Sequence, residues 1–236
     1  VVMTTPDLNK FHIKKSPHCK KYIYFHHSMV STHMVYRECA FDHFDAMLCV
    51  GPYQKKEVRK WENLRNLKHK ELLEHGYAPL DMLRKTGKNI GMFPRNEDGK
   101  LNILFAASWG KNGILETCAP EIIESLLKAG HSVTVRPHPR SLELSKKHIE
   151  KLKKRFRTSE KFNLVRGITQ FDSLFEAHLL ISDWSGVAME FAFGLERIVM
   201  LMQKQNLIPT KNSMLIYIAP LAKEYQIDLF KPVSYT

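Results

Sequence analysis

Three short segments hold the residue types that bind or move charge. The first runs Leu180-Ile181-Ser182-Asp183-Trp184-Ser185-Gly186-Val187. An apolar strand there ends in two hydroxyls flanking Asp183 and Trp184, and a helical pattern begins at once. Ser185 stands in the N-cap position, and Gly186 allows another group to approach the first turn closely. A helix N-terminus at the carboxyl end of a parallel strand offers a phosphate free N–H groups and the positive end of the helix dipole. A bare N-cap without a ligand fits the same residues. Asp183 would repel an anion if it pointed inward, so its expected role is to orient a backbone or ribose group.

The second segment is Val135-Arg136-Pro137-His138-Pro139-Arg140, at the end of another apolar strand. Two prolines stiffen the loop and hold His138 between two arginines, both strong phosphate partners. The flanking cations lower the imidazole pKa until a phosphate between them raises it again. The third segment, Tyr24-Phe25-His26-His27-Ser28, offers an imidazole for general-base work near neutral pH, or simply a histidine that caps a strand. His33, Cys39 and His43 follow, but no HExxH or CxxC spacing supports a zinc site.

The elements that must position these segments are clearest in the second half. Residues 102–107, 131–135, 163–165, 178–182 and 197–202 read as strands, and 121–129, 142–156, 171–177 and 186–193 as helices. Gly130 and Gly194 stand where helix-closing glycines belong. Strands alternating with helices at this spacing indicate βαβ units and a parallel sheet covered on both faces. In the first half, residues 1–4, 22–25 and 46–50 read as strands, 55–67 as a basic helix and 79–85 as another. Residues 86–100 show no period and read as a linker, giving domains over 1–85 and 101–236. So thin a first domain, in a chain opening without Met or a signal peptide, reads as truncated.

Composition narrows the classes. With 44% hydrophobic and 25% charged residues among 236, the chain is neither disordered nor collagen-like, and it is long enough to bury a core. No apolar stretch is long enough to span a bilayer. Four scattered cysteines suit a reducing cytoplasm rather than a disulfide framework. Thirty-six Lys and Arg against 24 Asp and Glu leave a net charge of +12, which calls for an anionic partner. The cationic run from Leu142 to Arg157 fits anionic lipid, nucleic acid or plain solvent. No RNA-binding signature accompanies it, so specific nucleic-acid binding ranks last, and without a Walker A loop or a GxGxxG the ATPase and dinucleotide readings lose their main support.

In order, the segments resemble the CDP-glycerol glycerophosphotransferase family, the teichoic-acid primases and polymerases. The family's Trp-His-Gly-Thr motif is similar to Phe25-His26-His27-Ser28, with looser likeness at 41–44, 50–53 and 76–83. Its Leu-Tyr-Ala-Pro-Thr-Trp strand resembles Leu104-Phe105-Ala106-Ala107-Ser108-Trp109, its His-Pro loop resembles Arg136-Pro137-His138-Pro139, and its Ser/Thr-Asp-Tyr-Ser-Ser motif resembles Ser182-Asp183-Trp184-Ser185-Gly186. His27 replaces a glycine and Gly186 a serine. Gly110 stands at an arginine position, with Lys111 able to supply the charge.

The resemblance implies a GT-B-like α/β fold of two Rossmann-like doubly wound domains. It implies a transferase moving glycerol phosphate from a CDP-linked donor to a hydroxyl of a membrane-associated polyol-phosphate or glycan acceptor. Ser182, Asp183, Ser185, Gly186 and Arg136 would hold the donor, His138 would stabilise the leaving phosphate, and His26 would be the base. His27, Ser108 and Lys111 are secondary candidates. Mg²⁺ stays open. The location implied is the cytoplasmic face of the membrane, against an anionic surface. A GT-B glycosyltransferase or nucleotide-sugar epimerase using a UDP-sugar would share this architecture.

Overall fold

The computed structural model describes residues 1–91, 99–165, 172–183, 185–202 and 214–217. The chain forms two compact units, one made of Val1–Ala78 and the other beginning at Pro79.

In the first unit the strands β1 (Val2–Met3), β2 (Ile23–Phe25), β3 (Ala46–Cys49) and β4 (Glu71–Glu74) form a parallel sheet in that order. Helix α1 (Thr32–Val35) precedes β3, and α2 (Pro52–Leu64) joins β3 to β4. Tyr24 and Met47, opposite each other in register, are fully buried with Leu8, Phe41, Phe44 and Val58. Pro52 starts α2, where its missing N–H costs nothing. Buried Gln54 in the first turn ties the region together: its amide donates to the carbonyls of Ser28 and Val30, and its Oε1 accepts from Val50 N. The sequence reading missed β4, a short edge strand whose Glu-Leu-Leu-Glu pattern offers no buried face.

The second unit begins with α3 (Ala78–Ile90) and continues through β5 (Asn102–Phe105), α4 (Ile114–Thr117), α5 (Ala119–Lys128), β6 (Ser132–Val135), α6 (Pro139–Leu144), α7 (Lys146–Phe156), β7 (Phe162–Leu164), α8 (Asp172–Glu176), β8 (Leu179–Ser182), α9 (Gly186–Leu195), β9 (Ile198–Met202) and β10 (Met214–Tyr217). Strand order is β10-β9-β8-β5-β6-β7, parallel except for β10. The chain winds outward from β5 through β6 to β7, then returns to the other side through β8 and β9. The junction of β5 and β8 is therefore the switch point, at whose carboxyl edge open α/β sheets bind ligands. Residues alternate between the two faces. Ile103, Phe105, Val133 and Val135 pack with Ile149 and Leu152, while Leu104 and Leu180 pack with Leu83, Leu174 and Phe191. Each such buried side chain contributes about 1.5–3 kcal/mol through the area it removes from water.

Three details differ from the sequence reading. Residues 142–156 are not one helix: Pro139 starts α6 early, and the chain breaks at Ser145, whose hydroxyl bonds the Glu116 carboxylate. Gly194 does not close α9 but sits inside it. A Cβ there would lie 2.9 Å from Leu83 Cβ, so the glycine permits close packing of α3, and Glu196 ends the helix in the left-handed region (φ 53°). That packing also moves the domain division. Residues 79–85, expected in the first domain, belong with the second unit, and the division falls at residue 78 rather than in a linker over 86–100, of which 92–98 lie outside the described residues.

Buried Arg197 reinforces the same region, its guanidinium donating to the carbonyls of Leu174, Ala177 and Gly91 at 3.2, 2.7 and 3.1 Å. Among the described residues no helix is long and apolar enough to cross a membrane.

Candidate functional site

The carboxyl edge of the second sheet gathers most of the chemistry-bearing residues. Beyond β5 the chain runs through Ala106 and Ala107 to Ser108, which Asp183 grips from beyond β8. Asp183 Oδ1 accepts from Ser108 N at 2.7 Å, and Oδ2 accepts from Ser108 Oγ at 2.7 Å. The carboxylate is 9% exposed, so these charge-assisted bonds replace the water it has lost. The expectation that Asp183 orients backbone matches this arrangement, the backbone being that of Ser108. No sequence spacing could have paired two residues 75 apart.

Ser182 and Ser185 are joined by a 2.7 Å hydroxyl contact, and Ser182 Oγ also donates to Ala106 O at 2.5 Å. Ser182 has a single proton, so the Ser185 hydroxyl donates to Ser182. Two consequences revise the sequence reading. Ser182, fully buried, is a brace between β8 and the end of β5, and its proton is not free for a phosphate. Ser185 holds the N-cap position of α9 but makes no side-chain cap bond. The Ser185 hydroxyl therefore leaves the amides of the opening turn to other acceptors; Ala188 N bonds Ser185 O at 3.2 Å, and the turn's N–H groups point where an anion could bind.

From the end of β6 comes Arg136, its backbone N–H bonded to Phe105 O at 2.9 Å. Its Nη1 is buried and makes no hydrogen bond. Burial pulls the guanidinium below its ordinary pKa, with Glu190 on α9 acting in the opposite sense. A buried donor with no acceptor carries an unmet desolvation cost, which an anion would relieve. Next to it His138 N-caps α6, its Nδ1 accepting from Arg140 N at 3.1 Å. That bond makes Nδ1 the acceptor and Nε2 the protonated nitrogen of the neutral ring. The pKa of His138 is lowered first by burial and then by Arg140, while Asp183 raises it. The flanking cation expected from the sequence acts as stated, but burial is the larger cause.

Two neighbours complete the edge. The indole of Trp109 is 43% exposed, with the Arg140 guanidinium 4.0 Å from its ring centroid and the His138 ring 6.4 Å away. Trp109 was named in the sequence only as part of a strand motif. The signal available was its place in the loop that follows a buried strand, at the carboxyl edge of the sheet. Lys111 is exposed in the turn that follows, and Trp184 lies outside the described residues.

The first unit holds the other imidazoles. His26 follows β2, its N–H bonded to Leu48 O at 3.1 Å, and its ring is only 1% exposed. It stands edge-on to Tyr24 at 4.8 Å, with Phe41 at 5.7 Å, and its Nε2 has no partner. Burial first, then His27 and His75, pushes its pKa down to about 3. A general base should titrate near the working pH and reach its substrate, and His26 as placed does neither. His27, one residue on, is exposed. His75, which the sequence reading passed over, follows β4, stacks on Phe25 at 4.3 Å and also has a buried, unpartnered Nε2.

His26 sets an acid limb for stability. Its folded pKa lies below the ordinary 6.5, so below pH 6.5 the unfolded chain takes up a proton that the folded chain refuses. Stability is full above that pH and falls by about 1.4 kcal/mol per unit as pH drops toward 3. His43, His75 and His138 are shifted in the same direction and add to the slope. Urea unfolding of H26F across pH 4–7 should show a shallower limb than the parent; an unchanged slope would remove His26 as its cause.

The zinc candidates do not converge. His33 Nδ1 contacts Ser31 Oγ at 2.8 Å, and the Cys39 sulfur accepts from Arg65 at 3.0 Å. Among the described residues no group of three or more His, Cys, Asp or Glu side chains could hold a metal ion.

No protein-family sequence model matches the chain, and no curated protein does. Solved structures do. A UDP-GlcNAc 2-epimerase from Methanocaldococcus jannaschii, in complex with UDP-GlcNAc and UDP, is similar over 86% of this chain and 56% of its own, at 13% identity and a TM-score of 0.55. The UDP-GlcNAc 2-epimerase from Neisseria meningitidis, bound to UDP-GlcNAc, is similar over 78% and 53%, at 15% identity and a TM-score of 0.54. The wall teichoic acid polymerase TagF is similar over 76% and 48%, at 15% identity and a TM-score of 0.42. The chain spans about half the length of these proteins. At such identities the likeness is one of fold, and with the parallel first sheet and the largely parallel second sheet it assigns the chain a GT-B-type, Rossmann-like α/β architecture.

Proposed function

We propose that this chain is a GT-B-type transferase whose second unit holds a nucleotide-diphosphate-linked donor at the carboxyl edge of its sheet. One observation carries this: Arg136, whose buried Nη1 makes no hydrogen bond, stands at the same switch-point edge as the start of α9, where the Ser185 side chain makes no cap bond. Both present N–H donors at that edge, and a diphosphate supplies acceptors to both. The α9 amides hold one phosphate, Arg136 takes charge from the bridging oxygens, and His138, donating through Nε2, stabilises the leaving nucleotide. Such preorganised donors supply most of the catalysis in phosphoryl transfer. Asp183 and Ser182 act on the substrate only by fixing Ser108 and the β5–β8 junction.

The ordered motifs between Phe25 and Gly186 favour CDP-glycerol as donor and a hydroxyl of a cell-surface polymer precursor as acceptor. The family motif, and not a placement of the two units, assigns the base to the segment after β2, where His27 is exposed and His26 is buried; turnover by H27A at the parent rate would remove His27 from that role. The exposed lysines of α7 (Lys146, Lys147, Lys151, Lys153 and Lys154) suit an anionic membrane surface, which co-sedimentation with anionic vesicles tests.

A second reading, a UDP-sugar enzyme, is favoured by the epimerases of like fold, whose structures hold UDP-GlcNAc or UDP. Calorimetric titration with CDP, CDP-glycerol, UDP and UDP-GlcNAc separates the two. The donor bound at 100 times its dissociation constant should add about 2.7 kcal/mol to unfolding stability. Response to cytidine ligands alone supports the first reading, and response to uridine ligands alone the second. Salt-sensitive oligonucleotide binding with no nucleotide response overturns both.

A further inference from the structure

We propose that Trp109 is the platform on which the donor's nucleobase stacks, with the Arg140 guanidinium over one face of the indole and the base on the other. The proposal rests on the donor-site reading above and extends it to a second chemical feature of the ligand. Trp109 is a large aromatic side chain, 43% exposed, at an edge where the neighbouring residue is held rigidly: Ser108 is clamped through both its N–H and its hydroxyl by Asp183. The indole is thus open to solvent while the backbone that carries it is fixed. Gly110 follows with φ 141°, and a Cβ built there would meet nothing within 4 Å.

The surroundings select the ligand. Arg140 lies 4.0 Å from the ring centroid and His138 6.4 Å from it, and His138 senses the Asp183 charge. The platform therefore adjoins the proposed diphosphate donors through Arg140 and His138, which are themselves joined by the Arg140 N–H to His138 Nδ1 bond. A ligand that satisfies both parts has a planar heteroaromatic ring linked to a diphosphate, which is a nucleoside diphosphate. Every base has a π-face, so stacking holds it without choosing its identity.

The test compares binding of a nucleoside diphosphate (CDP and UDP) with inorganic pyrophosphate, by calorimetry, in the parent, W109A and W109F. Loss of the platform should weaken nucleoside diphosphate binding about 10- to 100-fold in W109A. Pyrophosphate affinity should be unchanged, and W109F should keep most of the parent's nucleotide affinity. Unchanged nucleotide binding by W109A overturns the proposal. So does an equal loss for pyrophosphate, which would mean a loosened site. A parent protein that binds neither ligand instead overturns the donor-site reading itself.

Discussion

Replacing Arg136 with Met should move affinity and stability in opposite directions. The guanidinium is half-buried, its Nη1 lacks a partner, and burial works against its charge. Methionine has a similar reach with no charge to desolvate, and the relief of that desolvation offsets the lost attraction to Glu190. R136M should therefore unfold at the same or a higher urea concentration than the parent, a gain of about 1 kcal/mol or less. Nucleoside diphosphate binding should fall about 100-fold or more, because charge-assisted hydrogen bonds to the phosphates are lost together. R136K should recover only part of that affinity, since an ammonium lacks the fork that meets two oxygens at once. Marked destabilisation of R136M with unchanged nucleotide affinity would make Arg136 a structural residue.

Substitution of Asp183 should cost mainly stability. Its two 2.7 Å bonds hold Ser108 by both N–H and hydroxyl. In D183A both donors lose a charged acceptor in a closed setting, which should cost about 2–4 kcal/mol by urea unfolding. D183N should cost much less: its amide oxygen still accepts from Ser108 N, and its NH₂ donates to the Ser108 hydroxyl, which turns to accept. Pairing D183A with S108A isolates the side-chain bond, and the two losses should fall short of additive by about 1 kcal/mol. Nucleotide affinity should drop in D183A as the Trp109 turn loosens. Parent-like stability of D183A would mean the clamp contributes little to the fold.

Much of this architecture could be read from residue order. The strands of the second unit announced themselves through apolar runs such as Asn102-Ile103-Leu104-Phe105, and their alternation with helices implied the parallel sheet. Arg136, His138 and Ser185 followed as residues at strand ends. What could not be read were relations between distant segments. The Asp183–Ser108 clamp, the Ser182 brace and the burial of His26 under Tyr24 and Phe41 depend on tertiary packing, and so does the depressed pKa of His26. Local pattern also misled at Gly194, where a glycine that looked like a helix stop serves a close approach to Leu83. It misled again at Ser145, where a helix repeat hides a break held by Glu116. The first sheet's edge strand β4 left no trace, since strand signals come from burial and Glu71–Glu74 has little.

All of the proposed chemistry depends on an anion seated between Arg136 and the open first turn of α9. A crystal structure of the protein soaked with CDP or UDP tests that seat most directly. The diphosphate should lie with one phosphate accepting from the amides that follow Ser185 and the other within hydrogen-bond reach of the Arg136 guanidinium. A nucleotide bound elsewhere, with Arg136 still unpartnered, would contradict the account.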